Sequence, residues 1–196
     1  MTDVAIEFET YRFKSSLEAI SKNLPKFLNE YSGIYLAGGA LRAVLNNEKI
    51  NDFDFFFQSK ELRNQFLKFL EGEKAVITFR CPADKLCCLK INDIKVQLIS
   101  NEYYTDKESV IKFFDFNVSR FCLEGTTLLT YSSAMADLIN KELTLNALTY
   151  PSSTIKRIAK YISYGYFAKK EFYNDIVSRI SNHHPDIKDT ELVYID

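Results

Sequence analysis

The segment 34–57 constrains the fold more than any other part of the chain. It reads Ile34-Tyr35-Leu36-Ala37, then Gly38-Gly39, then Ala40-Leu41-Arg42, and ten residues later Asp52-Phe53-Asp54-Phe55-Phe56-Phe57. An apolar run leads into a glycine turn, the turn opens a short helix, and a second apolar run follows. The period-two rule for strands places Asp52 and Asp54 on one face. Two like charges side by side are unfavourable unless a cation lies between them. A divalent metal is the usual solution, because Mg²⁺ takes a few carboxylates together with substrate phosphate oxygens. Amides at the start of the helix after Gly38-Gly39 suit a phosphate.

A third carboxylate is expected for a two-metal site. Asp93 suits a turn, and Asp106 suits a helix N-terminus. Asp115, in Phe113-Phe114-Asp115-Phe116, repeats the local pattern of Phe53-Asp54-Phe55 and is the favoured candidate. If the run Val96-Gln97-Leu98-Ile99 supplied the third position instead, it would offer Gln97, leaving two acidic ligands and weak or absent catalysis.

The remaining pattern predicts an α+β protein. Residues 11–31 read as a helix kinked or split at Pro25. Strands are expected at 33–37, 52–57, 75–80, 86–91 and 94–99, the last two joined by an Asn92-Asp93 turn. Helices are expected at 39–46, about 59–71 and 105–114. Residues 115–123 and 126–131 read as a strand pair around Glu124-Gly125. From Ser132 the pattern is helical, broken by Pro151-Ser152-Ser153, which would cap a long helix starting near Thr154. Residues 1–131 are thus expected to form a catalytic core, a mixed sheet flanked by helices, and 132–196 a helical C-terminal part.

Composition narrows the function classes. A chain of 196 residues with net charge −1 projects no global basic field toward nucleic acid, so any such contact must be local. One local candidate exists. Between Pro151 and Tyr173, Lys156, Arg157, Lys160, Lys169 and Lys170 oppose only Glu171, and tyrosines are interleaved among them. That mixture suits a base stacked on a ring beside a phosphate backbone. Cys81, Cys87, Cys88 and Cys122 lack zinc-ligand spacing and fall in apolar runs, which points to buried thiols and a reducing, cytoplasmic setting. No signal peptide or run of membrane-spanning length is read. His183-His184-Pro185 reads as a surface turn.

The strand–Gly-Gly–Arg42 run followed by Asn51-Asp52-Phe53-Asp54 resembles the polymerase-β-type nucleotidyltransferase superfamily. It is most like the head domain of CCA-adding enzymes and bacterial poly(A) polymerases. Asp137-Leu138-Ile139, the run Thr154 to Tyr161 and Tyr164-Gly165-Tyr166 are similar to the neck of those proteins. Where the family commonly has Arg-Asp, this chain has Arg42-Ala43, and the placement of Asp115 resembles smaller, virus-type members. The resemblance implies transfer of a nucleoside monophosphate from an NTP to an acceptor hydroxyl, with tRNA-like RNA 3′ ends as the natural acceptor. It implies Mg²⁺ or Mn²⁺ as cofactor, two ions ~3.5–4 Å apart, held by Asp52, Asp54 and Asp115. Gly38, Gly39, Arg42, Arg157, Lys160 and Tyr161 would contact the nucleotide. A protein acceptor with a toxin-like role, or nucleotide binding without catalysis, are the competing expectations.

Overall fold

The computed structural model describes residues 3–182 and 187, so His183, His184 and Pro185 lie outside the described residues. The architecture is α+β, as expected. One eight-stranded mixed sheet is flanked by helices, and a helical C-terminal part carries a small two-stranded sheet. The elements are β1 (Ala5–Glu9), α1 (Lys14–Ile20), α2 (Leu24–Glu30), β2 (Ile34–Ala37), α3 (Gly39–Leu45), β3 (Asp52–Phe57) and α4 (Lys60–Gly72). Then come β4 (Val76–Arg80), β5 (Leu86–Ile91), β6 (Ile94–Ile99), α5 (Lys107–Ile111), β7 (Cys122–Glu124) and β8 (Thr127–Tyr131). The C-terminal part comprises α6 (Ser132–Asn140), β9 (Glu142–Leu143), α7 (Pro151–Ser163), β10 (Phe167–Ala168) and α8 (Lys170–Ser181).

Strand order in the large sheet is β1-β8-β7-β2-β3-β6-β5-β4. β2 and β3 are antiparallel neighbours, and β3 runs parallel to β6. The sheet centre is therefore the strand that carries Asp52 and Asp54. Alternation along β3 sorts its side chains. Phe55 and Phe57 are fully buried against Phe66 of α4, with ring centroids 4.7 Å and 5.8 Å away. Burial of each such ring contributes roughly 1.5–3 kcal/mol. Asp52, Asp54 and Phe56 point the other way, and Phe56 meets Tyr104 and Phe114. One face of the strand builds the core while the other is left for chemistry.

Several local expectations are corrected. Pro25 does split the first helical run, because its ring occupies the first turn of α2 where no amide partner is needed. For the same reason Pro151 opens α7 rather than breaking the chain before Thr154. The strand expected at 115–123 shrinks to β7. Residues Asn117–Ser119 form a 3₁₀ turn instead, tied down by Arg120 N–H to the Asn117 carbonyl and by Asn117 N–H to the Thr144 carbonyl. The helix expected at 105–114 is shorter, and Asp106 caps it by accepting the Ser109 amide at 2.7 Å. β1 was not anticipated, although Ala5-Ile6-Glu7-Phe8-Glu9 alternates. It pairs antiparallel with β8 as an exposed edge strand. Cys81, Cys87 and Cys122 are buried free thiols, and Cys88 is half-buried. No described helix is long and apolar enough to cross a membrane.

Candidate active site

A cleft of about 370 Å³ opens where β2, β3 and α3 meet α7. Gly38, Gly39, Arg42, Asp52, Asp54, Asp115, Arg157, Lys160 and Tyr161 all line it. These are the residues that the sequence marked for nucleotide and metal chemistry. The structure thus brings together positions up to 123 residues apart in the chain, from Gly38 to Tyr161.

The turn at Gly38-Gly39 is shaped by one glycine and left open by the other. Gly38 has φ +83°, and a Cβ there would meet the Phe114 ring at 3.4 Å. Its own amide donates to the Phe121 carbonyl at 3.0 Å, fixing the turn against the chain before β7. Gly39, the first residue of α3, has nothing within 4 Å of where a Cβ would stand. Space for a ligand beside the backbone therefore lies at Gly39, while Gly38 supplies the conformation.

Asp54 is buried and Asp52 half-buried, on the same face of β3. In the parallel pairing with β6, Asp52 stands opposite Lys95 and Asp54 opposite Gln97. The Gln97 amide, itself buried, donates from Nε2 to Asp52 Oδ2 at 3.2 Å. The acidic strand thus has an amide, and beside it a lysine, on its parallel neighbour. Asp115, expected as the third metal ligand, sits in the chain before the 3₁₀ turn, where its Oδ2 accepts from Arg157 Nη1 at 2.5 Å. Among the described residues, no three Asp, Glu, His or Cys side chains group closely enough to hold a metal ion. Asp115 lines the same cleft as the carboxylate pair on β3 and is ion-paired with Arg157. The pair on β3 fits a divalent cation in donor type, two hard oxygens on one face.

Arg42 lines the cleft, but its guanidinium is engaged elsewhere. It forms an ion pair with Glu48 and stands over the rings of Tyr161, Tyr164 and Tyr166 at 5.1, 5.2 and 5.5 Å. Burial opposes its charge, yet Tyr161, Tyr166 and Glu48 outweigh that and hold it above the ordinary arginine range. Glu48 is also bonded by Lys141 and by Asn46 Nδ2 at 2.7 Å. Burial works against the Glu48 carboxylate, but these partners keep it below its ordinary range. Tyr161 completes the knot, with its hydroxyl 2.5 Å from Ser119 and its ring edge-on to Phe116. Glu48 was not among the candidate residues named from sequence. The signal available was weak, a carboxylate six residues after an arginine.

Asp137, in the neck-like motif, does not reach the cleft. It accepts from Thr144 N–H at 3.0 Å and from the Thr144 hydroxyl at 2.6 Å, tying the end of α6 to the chain after β9. Burial pushes its carboxyl up to about 6 despite those bonds. Tyr104, at the far wall, is pushed up to about 12 by burial.

Solved structures of similar fold define the class. The chain is similar to a CCA-adding enzyme in complex with ATP, with TM-score 0.67 and 12% identity, covering 90% of this chain and 47% of that one. It is similar also to the Thermotoga maritima CCA-adding enzyme complexed with tRNA, with TM-score 0.64 and 12% identity over 90% of this chain and 46% of that one. A tRNA nucleotidyltransferase complexed with a primer tRNA and an incoming ATP analogue gives TM-score 0.59 and 16% identity, covering 81% of this chain and 50% of that one. The fold is thus that of the nucleotidyltransferase domains of such enzymes. Within that class the chain belongs to the family described as "Gad2: Gabija anti-defense 2 family protein", which matches residues 7–141. A curated relative, "Gabija anti-defense 2" of Bacillus phage SPbetaL7, is 26% identical over 189 residues, covering 92% of this chain and 46% of the relative. The chain therefore spans about half the length of that relative.

Proposed function

We propose that the protein is a metal-dependent nucleotidyltransferase that moves a nucleoside monophosphate from an NTP to an acceptor hydroxyl, an RNA 3′ end of tRNA type being the acceptor. The observation that supports this reading best is the convergence in one cleft of an open glycine turn, two carboxylates on one strand face, and a basic and aromatic helix. Asp52 and Asp54 would hold Mg²⁺ or Mn²⁺, which would neutralise charge on the triphosphate and on the developing transition state. Gly39 would admit the triphosphate beside the backbone. Lys160 and Tyr161 would face the nucleotide, and Arg157 would do so from its ion pair with Asp115. Arg42 would act chiefly by holding Tyr161 in place.

A second groove shares Lys49, Asn51, Asp52 and Lys160 with the cleft and runs toward Ser15, Ser16 and Lys95. The acceptor would approach through it. Its hydroxyl oxygen attacks the α-phosphorus, a new P–O bond forms, and the bond to the β-phosphate oxygen breaks. Pyrophosphate leaves, and the hydroxyl proton passes to Asp52 at the junction of the two grooves and then to water. Lys49, Lys95 and Lys160 along this approach suit a phosphate-bearing chain end.

A protein acceptor is the second reading, and family membership favours it. The name of the phage relative places it against a defence called Gabija, and a transferred nucleotide on a protein of that defence would serve the same end. The test is incorporation of each α-labelled NTP, with Mg²⁺ or Mn²⁺, into purified tRNA and separately into Gabija proteins, comparing wild type with Asp54→Ala. Label in RNA that vanishes in the variant supports the first reading. Label in protein only would move the conclusion to the second, and no label in either, with nucleotide still bound, to a binding role.

A further inference from the structure

Given a cleft that binds an NTP with its metal, we propose that Gln97 makes this a centre for one divalent cation rather than two. The register puts Gln97 directly beside Asp54 on the parallel neighbour β6. Its Nε2 donates to Asp52 Oδ2, so that oxygen is met by a positive N–H dipole where a second cation would need negative charge. Gln97 is 9% exposed, which leaves its amide little freedom to turn away.

Two adjacent divalent ions repel strongly and need acidic groups to offset that repulsion. The candidate for that task, Asp115, spends its carboxylate on Arg157, and no acidic trio exists among the described residues. Asp52 and Asp54 can therefore hold the ion that arrives with the triphosphate. A second ion beside it meets the Gln97 amide, and Lys95 stands two residues back along β6, opposite Asp52. Gln97 is thus a positioning residue. It orients Asp52 and limits the charge that the centre accepts. The acceptor hydroxyl then lacks a cation of its own, and its proton depends on Asp52.

The experiment counts bound Mn²⁺ by electron paramagnetic resonance on the full chain, with Mn²⁺ alone and with each of the four α,β-methylene NTPs. Nucleotide binding is measured separately by equilibrium dialysis. Wild type is expected to bind about one ion per chain in both conditions. Gln97→Glu is expected to bind about two in the presence of nucleotide, and its first ion roughly tenfold more tightly, because a carboxylate replaces the amide. Gln97→Met, of similar size and uncharged, should stay at one. Two ions in the wild type, none at all, or one in a folded Gln97→Glu would each overturn the inference. Should Gln97→Glu not fold, the wild-type count and Gln97→Asp decide it. Absence of nucleotide binding by the wild type would sink the nucleotide-transfer reading, while the count with Mn²⁺ alone would still decide the role of Gln97.

Discussion

Two regions of this molecule carry residues of the same apparent motif yet are built on opposite physical principles. On β3, Asp52 and Asp54 line the cleft and stand opposite Lys95 and Gln97 of β6. Twelve residues before Asp54, Arg42 is sunk among Glu48 and three tyrosine rings, 4% exposed, joining the sheet to the C-terminal helices. The first region lines the cleft with its carboxylates. The second consumes its charge internally. The difference teaches that charged groups lining one cleft are set to different tasks by their partners.

The comparison predicts that damage in the two regions separates into activity and stability. Asp54→Ala should lower NMP transfer by on the order of 10³-fold or more, with thermal unfolding little changed. The check is a transfer assay beside a melting curve. Arg42→Ala should instead cost about 1–3 kcal/mol of stability, because it removes a buried guanidinium that ties Glu48 to three tyrosine rings while Glu48 keeps Lys141, measured by chemical denaturation. If Arg42→Ala left stability intact while abolishing nucleotide binding, the distinction would collapse.

The glycine turn sharpens the same contrast on a smaller scale. Gly38→Ala must hold a side chain at φ +83° against Phe114, a loss of roughly 1–2 kcal/mol visible in unfolding. Gly39→Ala meets nothing within 4 Å, so its stability should be near wild type while its Kd for an NTP rises. Equilibrium dialysis with an NTP analogue separates the two.

Asp137 gives an effect that depends on pH. Its carboxyl is pushed up to about 6 by burial, above the ordinary value near 3.8, so the fold binds its proton more tightly than the unfolded chain does. This contribution to stability is complete below about pH 4 and is lost as pH rises through about 6. Asp137→Asn should remove that component of the pH dependence, read from urea midpoints across the same window.

Much of this arrangement was legible in sequence where the physics is local. The Asp-x-Asp pair follows from strand alternation alone, and the glycine turn from the need for positive φ. Pro25 was readable as a helix divider because its missing N–H acts within one turn. What escaped reading depends on register or on distance in the chain. Gln97 could be named as a candidate for the third position, but only the parallel pairing of β3 with β6 brings it against Asp52 and Asp54. Arg42 was named from sequence as a nucleotide contact, while its ties to Tyr166, 124 residues away, left no local mark. Asp115 resembled Asp54 in its flanking phenylalanines, and its ion pair with Arg157, 42 residues on, left no local mark.

Tyr161 touches Arg42, Phe116 and Ser119 while also walling the cleft. The cleft therefore exists only while α7 is docked on the sheet. Occupancy and docking are linked equilibria: any ligand that fills the cleft must also hold the C-terminal helices down, by the ratio of its concentration to its Kd. Cutting the chain between β8 and α6 would dissolve the pocket rather than release a smaller working one.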